Sequence, residues 1–534
     1  MVDESALSVP EHYNFAADCI DHFAEDPKAI ALHWVNLAGT EERILSFADV
    51  RDASRRFAAG LQAAGFVPGD RVKIVVGRDP AWWICALGMM RAGVVWIPGT
   101  TLLTPKDFDM RIGRAAAVGV ITDAANAPKV DEIRDRHPAL RACVVTDGKR
   151  DGWLSLDAIL DTDAAPQAVR TRSEDPCVLY FTSGTTGHPK MVVHTHASYP
   201  IGHRITGSYW LGLGSGDLHW NLSDNGWAKA AYASLFGPWS QGAGVFVEEA
   251  GPRFDAAATL DTLRKHPITS FCGPPTAFRS LIALPDLGDP APAHLSRVQA
   301  AGEPLNPEIF HAWKKATGIE IHEGYGQTES SILVCSHPSF PVKPGSMGKT
   351  APGFDVQVVD ADLSVAPANT EGDIAVRVKP ERPVGLFVEY ENHPEENAEK
   401  FRGDWYLTGD RGFRDEEGYF FFIGRSDDVI LSAGYRIGPF EVESALIEHE
   451  AVLEAAVVGA PHPERYQIVV AFVILHEGFT ASDALAAELQ DHVKRTTAPY
   501  KYPREIEFVS ELPKTISGKI RRVELRQRGE ERGG

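Results

Sequence analysis

The 534-residue chain is poor in cysteine: Cys19, Cys85, Cys143, Cys177, Cys272 and Cys335 are scattered, with no C-x-x-C pair among them. Neither a disulfide framework nor a zinc site is indicated, and reduced thiols suit a cytosolic setting. Positive charge is also short. Lys and Arg number 53 against 73 Asp and Glu, and the net charge of −20 argues against nucleic acid or an anionic membrane as the main partner. A local basic site for an anionic substrate is still compatible with that balance. Long apolar runs are missing too: Ala81–Met90 ends at Arg91 and is too short to span a bilayer. The start, M-V-D-E-S, lacks a basic region followed by an apolar one and is too acidic for a mitochondrial presequence. A cytoplasmic protein without stable membrane insertion is expected. No internal repeat or low-complexity tract is present.

What remains is ordinary globular composition, 44% hydrophobic and 24% charged, in a chain longer than one compact core. Residues 1 to about 170 alternate helical and strand patterns. Phe47–Ala64 carries Phe47, Val50, Phe57 and Leu61 at helical spacing, and Gly65 follows as a stop. Arg71–Val76 and Val94–Ile97 read as strands around a buried helix, Trp82–Arg91. Such alternation predicts an open α/β sheet. It continues to about residue 424 with more glycine and proline. Gly212, Gly214 and Gly216 imitate a dinucleotide loop, but the spacing is wrong and no strand precedes them. From about 428 the texture changes. Pro439 opens a helix, strands Ala455–Val458 and Ile468–Leu475 follow, and a helix near Ser482–Arg495 closes a small α/β domain.

The most informative stretch is Val178 to His194, V-L-Y-F-T-S-G-T-T-G-H-P-K-M-V-V-H. Two apolar runs read as strands and bracket Thr182, Ser183, Gly184, Thr185, Thr186, Gly187 and Lys190. The glycines let backbone N–H groups converge on an anion, the hydroxyls donate further bonds, and Lys190 adds charge. That combination suits a polyphosphate. It is not a Walker A loop, because the glycines are too close and Lys190 leads into a strand rather than a helix.

The stretch resembles the phosphate loop of the acyl-CoA synthetase, adenylation-domain and luciferase superfamily. Four further signatures follow in the family's order. Gly302-Glu303-Pro304 and Glu323-Gly324-Tyr325-Gly326-Gln327-Thr328-Glu329-Ser330 resemble the second, at a strand end where α/β proteins bind ligands. The resemblance implies that Gly302–Pro304 and Glu323–Tyr325 frame adenine, Thr328 bonds the α-phosphate and Glu329 ligates Mg²⁺. One carboxylate suffices chemically, since Mg²⁺ keeps waters and takes its other ligands from phosphates. Tyr406–Asp410 (Y-L-T-G-D) resembles the ribose motif, with Asp410 accepting from both hydroxyls. Gly424–Gly438 resembles the hinge region, implying Arg425 on ribose, Asp427 as hinge, Gly434 along the pantetheine tunnel and Arg436 facing the leaving phosphates. Pro513–Ile520 (P-K-T-I-S-G-K-I) resembles the last signature, whose lysine here is Lys519. A fixed cation there offsets repulsion between the substrate carboxylate and the α-phosphate.

The resemblance, spread over about 340 residues, is closest to the medium-chain acyl-CoA synthetase branch. It implies an adenylation domain, 1–426, and a mobile C-terminal domain, 427–534. The implied reaction uses ATP, Mg²⁺ and coenzyme A to turn a carboxylic acid into its acyl-CoA through acyl-AMP. A sister activity, loading a carrier protein or another acceptor, shares the same first step, and the sequence leaves a homodimer open. Gly326 stands where acetyl-activating relatives carry tryptophan, so the acid pocket is expected to extend past two carbons, walled in part by Trp227 and Tyr232. Tyr466 departs from the glycine usual in relatives.

Overall fold

A computed structural model describes residues 7–161, 165–182, 189–249, 251, 254–426, 428–432, 435–462, 465–514 and 520–533. Among these, three sheets build the large N-terminal region and a fourth builds a small C-terminal domain. The α/β expectation holds.

The first sheet has eight strands. Val95–Pro98, Arg71–Val75, Gly119–Thr122 and Ala142–Val145 run parallel at its centre. Pro176–Thr182 joins one side in parallel, and Lys190–Thr195 and Glu389–Tyr390 extend it antiparallel. The nine-stranded second sheet has a parallel interior, from Ile321–Tyr325 through Arg297–Ala301, Ser270–Gly273, Leu218–Asn221 and Gly244–Glu248 to Ile30–Val35, closed at one edge by antiparallel Glu42–Ser46. The third sheet is antiparallel, around Gly372–Arg377, Trp405–Arg414 and Phe420–Arg425. In the small domain Tyr466–Leu475 pairs with Val452–His462, with Glu505–Phe508 and with the short strand Ile430–Ser432.

Local chemistry explains the helices. Ser46 caps Phe47–Ala63 in a reciprocal box with Asp49, and Gly65 beyond its end takes φ +85°. Asp79 caps Pro80–Arg91, which has proline in its first turn and is buried on every side, Trp82 and Trp83 included. The two helices meet at Gly88, where a Cβ would lie 2.6 Å from the Phe57 ring. The expected strands and helices recur with their ends moved by one to four residues; Val452–His462 is the largest extension.

The two large sheets are clasped by the S-D-N-G-W segment. Asn225 Nδ2 donates to Gly77 O (2.6 Å), Arg78 Nε to Ser223 O (3.1 Å) and Thr100 Oγ1 to Asp224 (3.2 Å). Gly226 packs so closely that a Cβ would lie 2.0 Å from Thr100 N. Backbone cannot yield as a side-chain tip does. Gly226→Ala should therefore destabilise the protein by about 3 kcal/mol in chemical denaturation. Gly214→Ala, whose Cβ would meet nothing within 4 Å, should be nearly neutral in the same assay.

Candidate active site

The strand Ile321–Tyr325 ends in the turn Gly326–Glu329, and three sheets converge on that turn. From the third sheet, Asp410 is buried and accepts on Oδ2 from Tyr325 OH (2.6 Å) and Gln327 Nε2 (2.7 Å). Arg425 Nε lies 3.3 Å from its other oxygen. Gln327 also donates to Thr408 O (3.0 Å) and accepts from Tyr406 OH (3.0 Å). From the first sheet, His194 Nε2 donates to Thr328 O (2.7 Å) and Tyr390 OH donates to Glu329 Oε1 (2.8 Å). Apart from Gly326 the turn's residues are half-buried, because these donors and acceptors enclose it.

Electrostatics follow burial. His194 is held down to about 3, so its ring is neutral. Thr328 O can only accept, which puts the proton on Nε2 and leaves Nδ1 to accept from Ser198 Oγ (3.1 Å). Glu323, buried in the strand, is pushed up to about 8, and its Oε1 accepts from Leu305 N (3.2 Å). It thereby pins the G-E-P-L segment to the strand. Within that segment Gly302 takes φ +102° with nothing within 4 Å of a Cβ, so a bare backbone face is presented. Glu329 Oε2 has no partner among the described residues. One uncommitted carboxylate oxygen, half-buried, fits a hard cation that fills its remaining positions with water and phosphate.

The other expected residues divide into three groups. Thr182 and Lys190 face each other across the hairpin. Lys190 is buried, paired with Glu396, and its Nζ lies 5.3 Å from the Tyr390 ring centroid. It reaches a phosphate only by exchanging that partner. Ser183, Gly184, Thr185, Thr186, Gly187, Asp427, Gly434 and Lys519 lie outside the described residues, as does the side chain of Arg436. Lys514 and Ile520, which flank the Lys519 segment, form an antiparallel bridge.

The residues expected to wall the acid pocket lie as follows. Tyr232 stacks on His203 (5.4 Å) and lies 6.4 Å from Trp210, and a Cβ on Gly324 would lie 2.4 Å from the Trp210 ring. Tyr232 and the E-G-Y-G run thus share one wall. Both Tyr232–Phe236 and Thr206–Trp210 are π-helical turns, a form that re-aims side chains at sites. Trp227 stands at the start of the Ala228–Ala231 turn. Gly326 needs a correction. A Cβ there would meet Ser331 O at 2.9 Å, so glycine at this position answers a close backbone approach and does not simply leave open volume.

His194, Tyr390, Gln327 and Trp210 are absent from the expected set. His194 and Gln327 stand inside the quoted motifs, where a hydrogen-bonding side chain at each strand end is the only signal. Tyr390 and Trp210 carry none. Tyr199 OH and His203 Nε2 are buried without a hydrogen-bond partner among the described residues, in the ring row that joins His194 to Tyr232.

An AMP-binding enzyme family matches residues 20–380, and its C-terminal domain family matches 441–519; the chain belongs to the AMP-binding enzymes. It is similar to the rat (Rattus norvegicus) protein acyl-coenzyme A synthetase ACSM3, mitochondrial, at 46% identity over 99% of this chain and 92% of that one. Among solved structures, the anthranilate CoA ligase AuaEII bound to anthranoyl-AMP superposes with TM-score 0.89 at 31% identity, over 99% of both chains. A benzoate CoA ligase from Burkholderia xenovorans LB400 gives 0.85 at 31% identity, over 96% of this chain and 100% of that one.

Glu323 gives a pH prediction. Its raised pKa means the folded state holds a proton that the unfolded state loses near pH 4.5, so stability present below that pH is lost as pH rises towards about 8. Glu323→Gln keeps an acceptor for Leu305 N and removes the titration. The variant should gain roughly 3–4 kcal/mol relative to wild type between pH 5 and pH 8 in urea denaturation.

Proposed function

We propose that the protein is an AMP-forming acyl-CoA synthetase acting on a medium-chain fatty acid or an aryl acid of similar bulk. The observation that carries this reading is Asp410, a buried carboxylate gathering Tyr325, Gln327 and Arg425 at the strand end. In a member of the AMP-binding family this is where ribose hydroxyls would be accepted, with Arg425 giving way or sharing. Gly302 offers adenine its open backbone face, with Glu303 and Pro304 beside it, and the Glu323–Tyr325 strand frames the opposite side. Thr182 and Lys190 anchor the hairpin that carries Ser183–Gly187 towards the β- and γ-phosphates.

The proposed first step joins a carboxylate oxygen of the acid to the α-phosphorus, and the bond to the bridging oxygen of pyrophosphate breaks. Thr328 donates to the α-phosphate, while Lys519 and Arg436 hold the reacting and departing anions. Mg²⁺ held by Glu329 would supply neutralising charge on the phosphates. In the second step the CoA sulfur attacks the acyl carbon, AMP leaves, and the thiol proton passes to solvent. The small domain, 427–534, turns about Asp427 between the steps, withdrawing Lys519 and bringing Gly434 to the thiol's path. The partners are the acid and coenzyme A; a homodimer is compatible with the reading. Among the described residues no helix is long and apolar enough to cross a membrane. All six cysteines are free and buried, which supports the cytoplasmic placement included in the proposal, although the rat relative is named as mitochondrial.

Three measurements test the proposal. Carboxylate-dependent AMP release should require CoA for turnover, and kcat/KM should rise from acetate towards medium-length acids. Each buried methylene contributes roughly 0.8 kcal/mol, so three carbons would give on the order of fiftyfold. Acetate as the best acid would overturn the substrate class. Lys519→Ala should abolish adenylate formation yet retain thioester formation from supplied acyl-AMP; equal loss of both would refute its role. Gly326→Trp should depress activity on the longer acid more than on propionate, with a fall in Tm as the Ser331 carbonyl is displaced.

A further inference from the structure

Far from the turn just described, His33, Glu42 and His266 bring two imidazoles and a carboxylate together, with ligand atoms all within 4.8 Å of one another. They come from three elements. His33 lies in Ile30–Val35, and pairing of Val35 with Glu42 sets Glu42 diagonally across from it on the same face. His266 ends the helix Ala256–Lys265 and packs its ring edge-on to His33, with centroids 5.2 Å apart at 88°. Phe246, opposite His33 in the neighbouring strand, closes the floor against both rings (5.2 and 4.8 Å).

The bland account is a hydrogen bond between His33 Nε2 and Glu42 Oε1 with a second histidine nearby. It leaves His266 unexplained. That ring is buried at a helix end, has no hydrogen-bond partner among the described residues, and faces a carboxylate and a second imidazole. We propose that His33, Glu42 and His266 bind a divalent transition-metal ion of the Zn²⁺ class, with water completing a four-coordinate shell. Two His and one Glu form an established donor set for zinc, at bond lengths of about 2.0–2.2 Å that place ligand atoms roughly 3.4 Å apart. Glu42 already lies against His33 with its side chain 50% exposed, so the remaining closure falls to His266 and a small shift of the carboxylate. The metal takes the place of the His33 Nε2 proton, which leaves to solvent.

The site is not catalytic. Five strand spacings separate Ile30–Val35 from Ile321–Tyr325 in the same sheet, about 24 Å. Its effect is mechanical: it ties the edge strand Glu42–Ser46 and the helix end to an interior strand, and protects an edge otherwise open to pairing. The proposal is independent of the function argued above.

The test uses the full chain, stripped with chelator and free of Mg²⁺, titrated with ZnCl₂ in a calorimeter and with CoCl₂ in a spectrophotometer. One equivalent of Zn²⁺ should bind and raise Tm, and Co²⁺ should give the visible absorption of a four-coordinate nitrogen–oxygen site. Affinity should fall at least tenfold in Glu42→Gln, and the Co²⁺ band should vanish in His266→Gln. Failure of the wild type to bind either ion at one equivalent overturns the proposal. So does a Zn²⁺ affinity and Co²⁺ spectrum shared by wild type and Glu42→Gln, the surface variant that decides the matter if His266→Gln does not fold.

Discussion

The turn Gly326–Glu329 is braced from two sides by the rest of the large region. Locally it is closed only by Ser330 N donating to Gln327 O and Gln327 N donating to Ser330 Oγ (3.2 Å each), and it begins with a glycine and follows another at Gly324. Its conformation is imposed by Asp410, Thr408 and Tyr406 on one side and by His194 and Tyr390 on the other. Hydrogen bonds to a charged group contribute about 1.5–3 kcal/mol each, and a buried acceptor left unmet costs a comparable amount. Asp410 therefore couples the third sheet to the second through two hydrogen bonds to a buried carboxylate. The two carboxylates at this place differ in what they retain: Asp410 is committed at both oxygens, whereas Glu329 keeps one free among the described residues.

His194 extends the constraint to the hairpin. Its ring lies four residues beyond Lys190 on the same strand and bonds Thr328 O, so the 176–195 hairpin is fastened to the turn. A charged imidazole would serve less well, because the buried pocket offers no counter-ion and Nδ1 would lose its acceptor role toward Ser198. Burial enforces the neutral tautomer that the geometry needs. On the same side, Lys190 and Glu396 neutralise each other beneath the Tyr390 ring. That makes Lys190 a cation held in reserve rather than one aimed at the loop.

The legible parts of this fold and site are those written locally. Alternating strand and helix periods and Gly65 as a stop are short-range features, and each appears where the residues place it; the caps Ser46 and Asp79 are equally local but absent from the expected set. The motif residues Tyr325, Asp410 and Arg425 were legible as a family pattern, and the structure brings them into contact although 85 residues separate the first two. What the residues could not disclose is long-range. Nothing near Gly326 predicts that Ser331 O returns to within 2.9 Å of its absent Cβ, and nothing near His33 predicts His266 beside it. Cysteine spacing spoke only to thiolate zinc sites. Histidines 233 residues apart in sequence have no spacing rule to betray them.

The small domain is tied together across its described ends. Glu443, buried on the first helix, accepts from Val457 N (2.8 Å) and receives both oxygens' worth of bonding from Arg522 (2.7 and 2.8 Å). Arg526 Nη1 donates to Asp428 at 2.8 Å. Two charged rivets thus bind the final helix, directly after the Lys514–Ile520 bridge, to the start of the same domain beside position 427. Under the proposed rotation these described ends would move together, and the contacts to the large region are the ones that would change. Tyr466 holds φ +67°, a left-handed conformation strained for a residue with a Cβ, and is 72% exposed. A strained backbone bearing an outward aromatic ring gains nothing inside its own domain, so under the proposal its compensation would come from what that face meets when the domain turns.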